Sequence, residues 1–305
     1  MANNLGTLSG ALILQEALDL TFAHRPALGL VSKGFRELDG SVDNALMGQS
    51  VITRVKGLQA VNAFGTGPGN VTDTDVSVTL SNMKEIHVQF TAAQINSTNR
   101  DLIREVAQPI AVTLANYIID SVATLWNTTN FAKKQISTTY TRSGLTLPLS
   151  QLMDGTTDAN AIPQDNRFAV LNGTPYYGLL ADPIIVAALN NPANLEAIKT
   201  GKLPEVDGIM LDKYPTLGAA SINRYGFAGT PDSTVYVARA PKNPTEIIAN
   251  LPFPGIFDYV EAQNGFRVAV QQWIDPSTLA VNNRLVWLDG YAVGNPNNGV
   301  VLVSA

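Results

Sequence analysis

Two histidines, no cysteine and a few acidic and glycine clusters carry whatever reaction chemistry this 305-residue chain could perform. An imidazole metal or proton-transfer site needs ring nitrogens brought together, as His-x-x-x-His or His-Glu-x-x-His does on one helix face. His24 and His87 stand in neither pattern; His24 falls at a helix end and His87 on the polar side of a strand, so structural roles are expected. Gly65, Gly67 and Gly69 look like a phosphate-cradling loop. A cradle needs a helix N-terminus directly behind it, but Pro68 and the strand-like stretch 71–80 follow, which makes this a hairpin tip. Asp73 and Asp75 could open a calcium loop, yet Val78 stands where the loop needs glycine and Lys84 where it needs the bidentate glutamate. Ser81-Asn82-Met83-Lys84, Ser97-Thr98-Asn99 and Lys199-Thr200-Gly201 match, in order, the short motifs of penicillin-recognising serine acyl-transferases. That chemistry sets the serine on a helix start and Lys-Thr-Gly on an edge strand, whereas Ser81 interrupts a strand pattern and Gly201 reads as a helix cap. No Gly-x-Ser-x-Gly or Walker lysine loop occurs. The expectation is of a protein that is not an enzyme, with no cofactor and no metal.

Composition points toward contacts rather than catalysis. Charged residues are 15% of the chain, while Asn and Thr number 26 each; an average globular protein carries about 25% charge. The centres of buried interfaces are poor in charge, so this surface leans toward an assembly. A net charge of −5 gives no general attraction to nucleic acid or to anionic membrane. No uncharged stretch exceeds 16 residues, too short and too rich in Gly, Asn and Pro to span a bilayer. No lysine or arginine precedes Arg25, so neither a secretory signal nor an Arg-rich transit peptide is visible. Without cysteine, no disulfide framework fixes a compartment. Asn-x-Ser/Thr triplets at Asn70, Asn96, Asn127 and Asn172 read as chance in so Asn- and Thr-rich a chain.

Periodicity supplies the elements. Residues 9–25 suit a short amphipathic helix, and 26–46 an extended arm. From Gln49 the period becomes two, and after a glycine-rich tip it resumes over 75–80, a hairpin pattern. Folded symmetrically about Phe64 and Gly65, the hairpin sets Arg54 opposite Asp75 and Lys56 opposite Asp73. Val51, Thr53 and Val55 then oppose Val78, Val76 and Thr74, giving one charged and one β-branched face. Arms of about a dozen residues reach roughly 40 Å, and because a lone two-stranded hairpin is marginal in water, a neighbouring subunit is expected to support it. Alternation over Ile86, Val88 and Phe90 gives way to helix: Thr98 and Asp101 fit a capping box, then Ile103, Val106, Ile110, Leu114, Ile118, Val122 and Leu125 follow at spacings of three and four. Pro109 inside this run predicts a bend, not a stop. Residues 127–166 read as strands and loops. Beyond them come a strand at 168–171, a helix capped by Asp182 through Leu189, a helix from Pro192 to Gly201, strands near 209–211 and 235–238, a hairpin of 266–274 with 285–293 flanking 275–283, and a last strand at 300–303.

The order of these elements resembles the major capsid proteins of tailed phages, an α+β architecture of the Hong Kong 97 type, nearest to podovirus-like coat proteins. The residues that carry it are Arg100-Asp101-Leu102-Ile103-Arg104-Glu105-Val106-Ala107-Gln108-Pro109 and the helix to Asp120, Arg167-Phe168-Ala169-Val170-Leu171-Asn172, Gly208-Ile209-Met210-Leu211-Asp212 and Val235-Tyr236-Val237-Ala238-Arg239-Ala240. The resemblance implies an N-terminal arm over 1–45 and an extended loop over 46–90. It implies a peripheral domain with its spine helix over 91–143 and 256–296, and an axial domain over 144–255 and 297–305. It implies pentamers and hexamers of an icosahedral shell around double-stranded DNA held by non-specific contact only, a virion component assembled in the host cytoplasm. A separate scaffolding protein and a portal protein are the implied partners, with a decoration protein left open and no membrane. Arg54, Lys56, Phe64, Asp73 and Asp75 are then the assembly residues of the hairpin and Pro109 the bend of the spine helix. Crosslinking members use a lysine near the loop tip, and 57–72 contains none, so a non-crosslinked shell is expected. An encapsulin-type compartment, which shares the fold, and an enzyme of the serine acyl-transfer or another class stay open as alternatives.

Overall fold

A computed structural model describes residues 44–55, 74–91, 93–94, 102–155, 161–164, 166–189, 202–203, 205–215, 217, 223–243, 255–261 and 267–304. Strands run in the order β1 (Asn44–Ala45), β2 (Ser50–Val55), β3 (Thr74–Thr79), β4 (Asn82–Phe90), β5 (Lys134–Ser137), β6 (Phe168–Leu171) and β7 (Met210–Lys213). They continue as β8 (Arg224–Gly229), β9 (Thr234–Pro241), β10 (Ile256–Glu261), β11 (Arg267–Asp275), β12 (Ala280–Val293) and β13 (Gly299–Ser304). Helices are α1 (Leu102–Ala123), α2 (Leu147–Met153), α3 (Gly173–Leu180) and α4 (Pro183–Leu189). The described residues form two compact units, one drawn from Arg36–Ile118 and Tyr236–Tyr291, the other from Ile119–Val235 and Ala292–Ala305. The helices expected over 9–25 and 192–201, the arm as far as 43, the hairpin tip and the capping box at Thr98 and Asp101 lie outside the described residues.

In the first unit, β12 is the organising strand. It pairs with β4, β9 and β11 in a six-stranded sheet ordered β1-β9-β12-β11-β10, with β4 alongside β12. Val268, Val270, Leu285 and Trp287 are buried, and Trp287 meets Tyr117 of α1 edge-on at 5.7 Å between ring centroids. The hairpin expected at 266–293 is present with a shorter turn. Ala280 to Asn283 belong to β12, because that stretch pairs with β11 and, from Val281, also with β4. α1 runs unbroken through Pro109. Its Ala107, Ile110, Ala111, Leu114, Ala115 and Ile118 are buried at helical spacing, while Pro109 is on the exposed side. Its twenty-two described residues span about 33 Å, and the helix stops at Ala123, two residues before the end of the expected pattern at Leu125.

The second unit holds a five-stranded mixed sheet, β5-β13-β8-β6-β7. All four residues of β6 and all six of β8 are buried, so neither strand shows the alternation of a half-exposed one. Among the buried residues, Leu145, Leu149, Met153, Tyr176, Leu179 and Ile185 cluster with Ala169, Leu171 and Leu302. Separately, Trp126 stacks on Phe227 at 4.7 Å, and Phe131 meets the same ring at 4.9 Å. Gly299 is required there, since a Cβ would collide with the Phe131 ring.

The stretch 127–166 is more helical than its Thr, Gly and Asp content suggested. A π-helical turn at Arg142–Thr146 leads into α2, where Pro148 supplies a pre-set first turn and Leu145, Leu149 and Met153, each four apart, are buried. α3 was also not expected; Asn172 caps it, its side-chain oxygen accepting the Gly173 N–H at 2.6 Å. α4 forms where expected, with Asp182 accepting from the Ile184 N–H at 2.8 Å. Ile209 lies outside β7, bridged to Val206 across Asp207 and Gly208. Both turn residues have positive φ, 51° and 78°, the Asp-Gly signature of a two-residue hairpin turn.

Candidate assembly surfaces

The base of the hairpin takes the register that its alternation dictates. β2 and β3 pair antiparallel with Ser50 opposite Thr79, Val51 opposite Val78, Thr53 opposite Val76 and Arg54 opposite Asp75. Arg54 Nε donates to Asp75 Oδ1 at 2.8 Å, and both side chains are about half exposed (49% and 54%). The Asp75 carboxyl is held below the usual carboxylate range, first by that hydrogen bond. Lys56, Phe64 and Asp73 lie outside the described residues. Ile52, 52% exposed, shares the charged face. The opposite face corrects one expectation. Val51, Thr53, Val78 and Leu80 are buried by the chain itself, and Gly290 of β12 approaches so closely that a Cβ there would strike the Thr79 carbonyl. The base of the hairpin therefore leans on its own subunit.

Sequence reasoning missed a half-buried cluster of side chains on the six-stranded sheet. The register places His87 of β4 opposite Arg284 of β12, and Trp273 of β11 opposite Asn282. The Arg284 guanidinium lies 5.0 Å over the Trp273 ring and 3.1 Å from Glu85. His87 stacks on Trp273 at 5.3 Å and makes a 3.0 Å hydrogen bond to Asn282 Oδ1. Nearby on the same sheet, Arg267 covers Tyr259 at 5.0 Å. Rigid aromatic rings with stacked arginines are the side chains that dominate protein interfaces. The alternation of Glu85, His87 and Gln89 and the hairpin of β11 with β12 were legible; the pairing of β4 with β12 was not. In the second unit, α3 and α4 expose Tyr177, Ile184 and Val186.

The described part of the acyl-transfer pattern lacks its geometry. Ser81 sits in the two-residue link between β3 and β4, not at a helix start, and the Lys84 ammonium is 5.7 Å from the Tyr117 ring centroid. Ser97, Thr98, Asn99, Thr200 and Gly201 lie outside the described residues, as does His24. Among the described residues no three His, Asp or Glu side chains gather as a metal site, and no helix is long and apolar enough to cross a membrane.

No protein-family model matches the chain, and no curated protein sequence does. Solved structures do. The chain superposes on a structure of Mycobacterium phage Che8 with a TM-score of 0.56 at 15% identity, over 89% of this chain and 90% of the other. The capsid structure of cyanophage P-SCSP1u gives 0.53 at 12% identity, over 89% and 93%. The capsid structure of Helicobacter pylori bacteriophage KHP30 gives 0.53 at 12% identity, over 92% and 91%. The chain has the phage-capsid fold. The likeness covers about nine tenths of each partner, so the capsid fold accounts for both units of the chain rather than for one grafted domain.

Proposed function

We propose that this chain is the major capsid protein of a tailed phage of the podovirus-like branch. It would self-assemble into pentamers and hexamers of an icosahedral shell enclosing double-stranded DNA. The observation that carries the reading is the two-way coverage: capsid structures and this chain match over about nine tenths of each. Low charge, abundant Asn and Thr and a half-buried Arg–Trp stack agree with a protein that buries much of its exterior in neighbours. In this reading residues 1–45 are the arm, 46–90 the extended loop, and α1 the spine of a peripheral domain formed by 91–143 and 256–296. The axial domain is 144–255 with 297–305. Assembly takes place in the host cytoplasm with a separate scaffolding protein and a portal, and the net charge of −5 suits a wall that contacts DNA without gripping it.

Expression of the full chain, sedimentation and negative-stain electron microscopy of the fastest fraction test this directly. Uniform closed shells, alone or with a candidate scaffolding protein co-expressed, are expected; a monomer under both conditions overturns the assembly reading. Shells that recruit a protein cargo and lack a portal vertex would replace the phage reading with an encapsulin-type compartment.

A further inference from the structure

Asp289 on β12 is wholly buried, at 0% exposure. From α1, the Tyr117 hydroxyl donates to both of its oxygens, at 2.9 and 3.2 Å. From β9, the Tyr236 hydroxyl donates to Oδ2 at 3.3 Å. From β4, Asn82 lies opposite it in the ladder, and Lys84 is the cation whose field reaches it. Lys84 itself is exposed, its ammonium set over the Tyr117 ring rather than against the carboxylate. Among the described residues no lysine or arginine makes an ion pair with Asp289. The group is therefore a carboxyl cut off from water and held by two phenols, with no counter-charge in contact, at the place where the long helix meets two strands of the sheet.

We propose that Asp289, Tyr117 and Tyr236 form a proton-operated clasp between α1 and the six-stranded sheet, closed by the neutral acid and loosened when the carboxyl ionises. A neutral carboxyl can be buried at the cost of ordinary hydrogen bonds, whereas an ionised one must be stabilised by its surroundings alone. Two hydroxyl donors only partly replace water. Burial accordingly raises the Asp289 carboxyl above the usual range, against the opposing pull of Tyr117, Tyr236 and Lys84. Burial and the neighbouring carboxyl push the Tyr236 phenol well above its ordinary value, so it stays a donor.

The sign of the pH effect follows. Below the ordinary aspartate pKa, about 3.9, folded and unfolded chains both hold the proton and the site costs nothing. As pH rises toward the raised value of the folded site, the unfolded chain ionises first and stability falls. Above that value the loss is complete and constant. This is opposite to a carboxylate held in an ion pair, which weakens toward acid.

Thermal unfolding of the full chain and of Asp289→Asn, measured from about pH 4 to 8, tests the clasp. The two should unfold at similar temperatures at the acid end, with the variant rising above the parent by a few degrees as pH increases. Curves that stay parallel overturn the proposal. A second measurement works even if the variant does not fold: infrared titration of the parent should show a protonated carboxyl C=O band persisting at pH values where exposed carboxyls have already ionised. Absence of that band also overturns it.

Discussion

A single exposed ion pair contributes little to the stability of a chain and can still decide how two chains meet. Arg54 and Asp75 are half exposed, so Arg54→Glu should leave the urea unfolding of the subunit nearly unchanged. The pair lies within one chain and helps to set the register of the hairpin base, so its loss would act on assembly through the shape of the hairpin, repeated at every subunit of a shell. Particle yield by sedimentation should fall in Arg54→Glu and recover in part when Asp75→Lys is added; an unchanged yield in the single variant counts against the hairpin as an assembly element. The pH dependence has the ordinary sign. Arg54 holds the Asp75 carboxyl below the usual range, so the pair is fully formed above about pH 4 and is lost as pH falls through that depressed value. Assembly that fades well above pH 4 must have another cause. This pair was legible because period-two alternation fixes register once the turn is placed, and Arg54 and Asp75 are symmetric about Phe64 and Gly65. The Arg284, Trp273 and His87 cluster was not, because it sets β4 against a hairpin that lies nearly two hundred residues further along the chain.

At the scale of elements, the C-terminal end of α1 depends on a residue far along the chain. Arg224 is buried and donates to the carbonyls of Ala123 and Trp126, at 2.6 Å each, satisfying groups that a helix end leaves open. Burial lowers the Arg224 pKa, yet an arginine stays charged at neutral pH. Arg224→Met should cost about 2–3 kcal/mol in urea unfolding, well beyond the effect at Arg54. A loss under 1 kcal/mol would mean that water or a neighbour caps the helix instead. Phe227→Ala, which removes the ring shared by Trp126 and Phe131, should cost about 3–5 kcal/mol on the same measurement. The elements that sequence reasoning missed share one cause. β8, Arg-Tyr-Gly-Phe-Ala-Gly, carries two glycines that read as loop, but Gly226 has Leu171 and Leu302 pressed against it from either side, where no Cβ fits. α3 contains two glycines, a proline and two tyrosines, and is held by its Asn172 cap and the burial of Pro175, Tyr176 and Leu179 rather than by propensity. Tertiary packing overrides local preference at both places.

For the whole molecule, the hairpin, the long helix through Pro109 and the closing strands were readable because each repeats one period over many residues. In the mixed five-stranded sheet β6, β7 and β13 were readable as short apolar runs, but β8, which joins β13 to β6, was hidden because it is buried on both faces and alternates nothing. Denaturing gels of purified particles should show only the monomer band, since residues 57–72 offer no lysine for a covalent bond to a neighbour; a ladder of multiples would refute the non-crosslinked shell. One property of the topology governs timing as well as shape. β12 lies between β4 and β11, and β13 lies between β5 and β8, so residues 280–304 supply an interior strand to each sheet. A nascent chain halted before residue 280 would present open ladders in both units and no finished surface for a neighbour. Subunits should thus become competent to associate only after residues 280–304 have been made and have folded in, because until then their open strand edges would pair with those of other half-made chains.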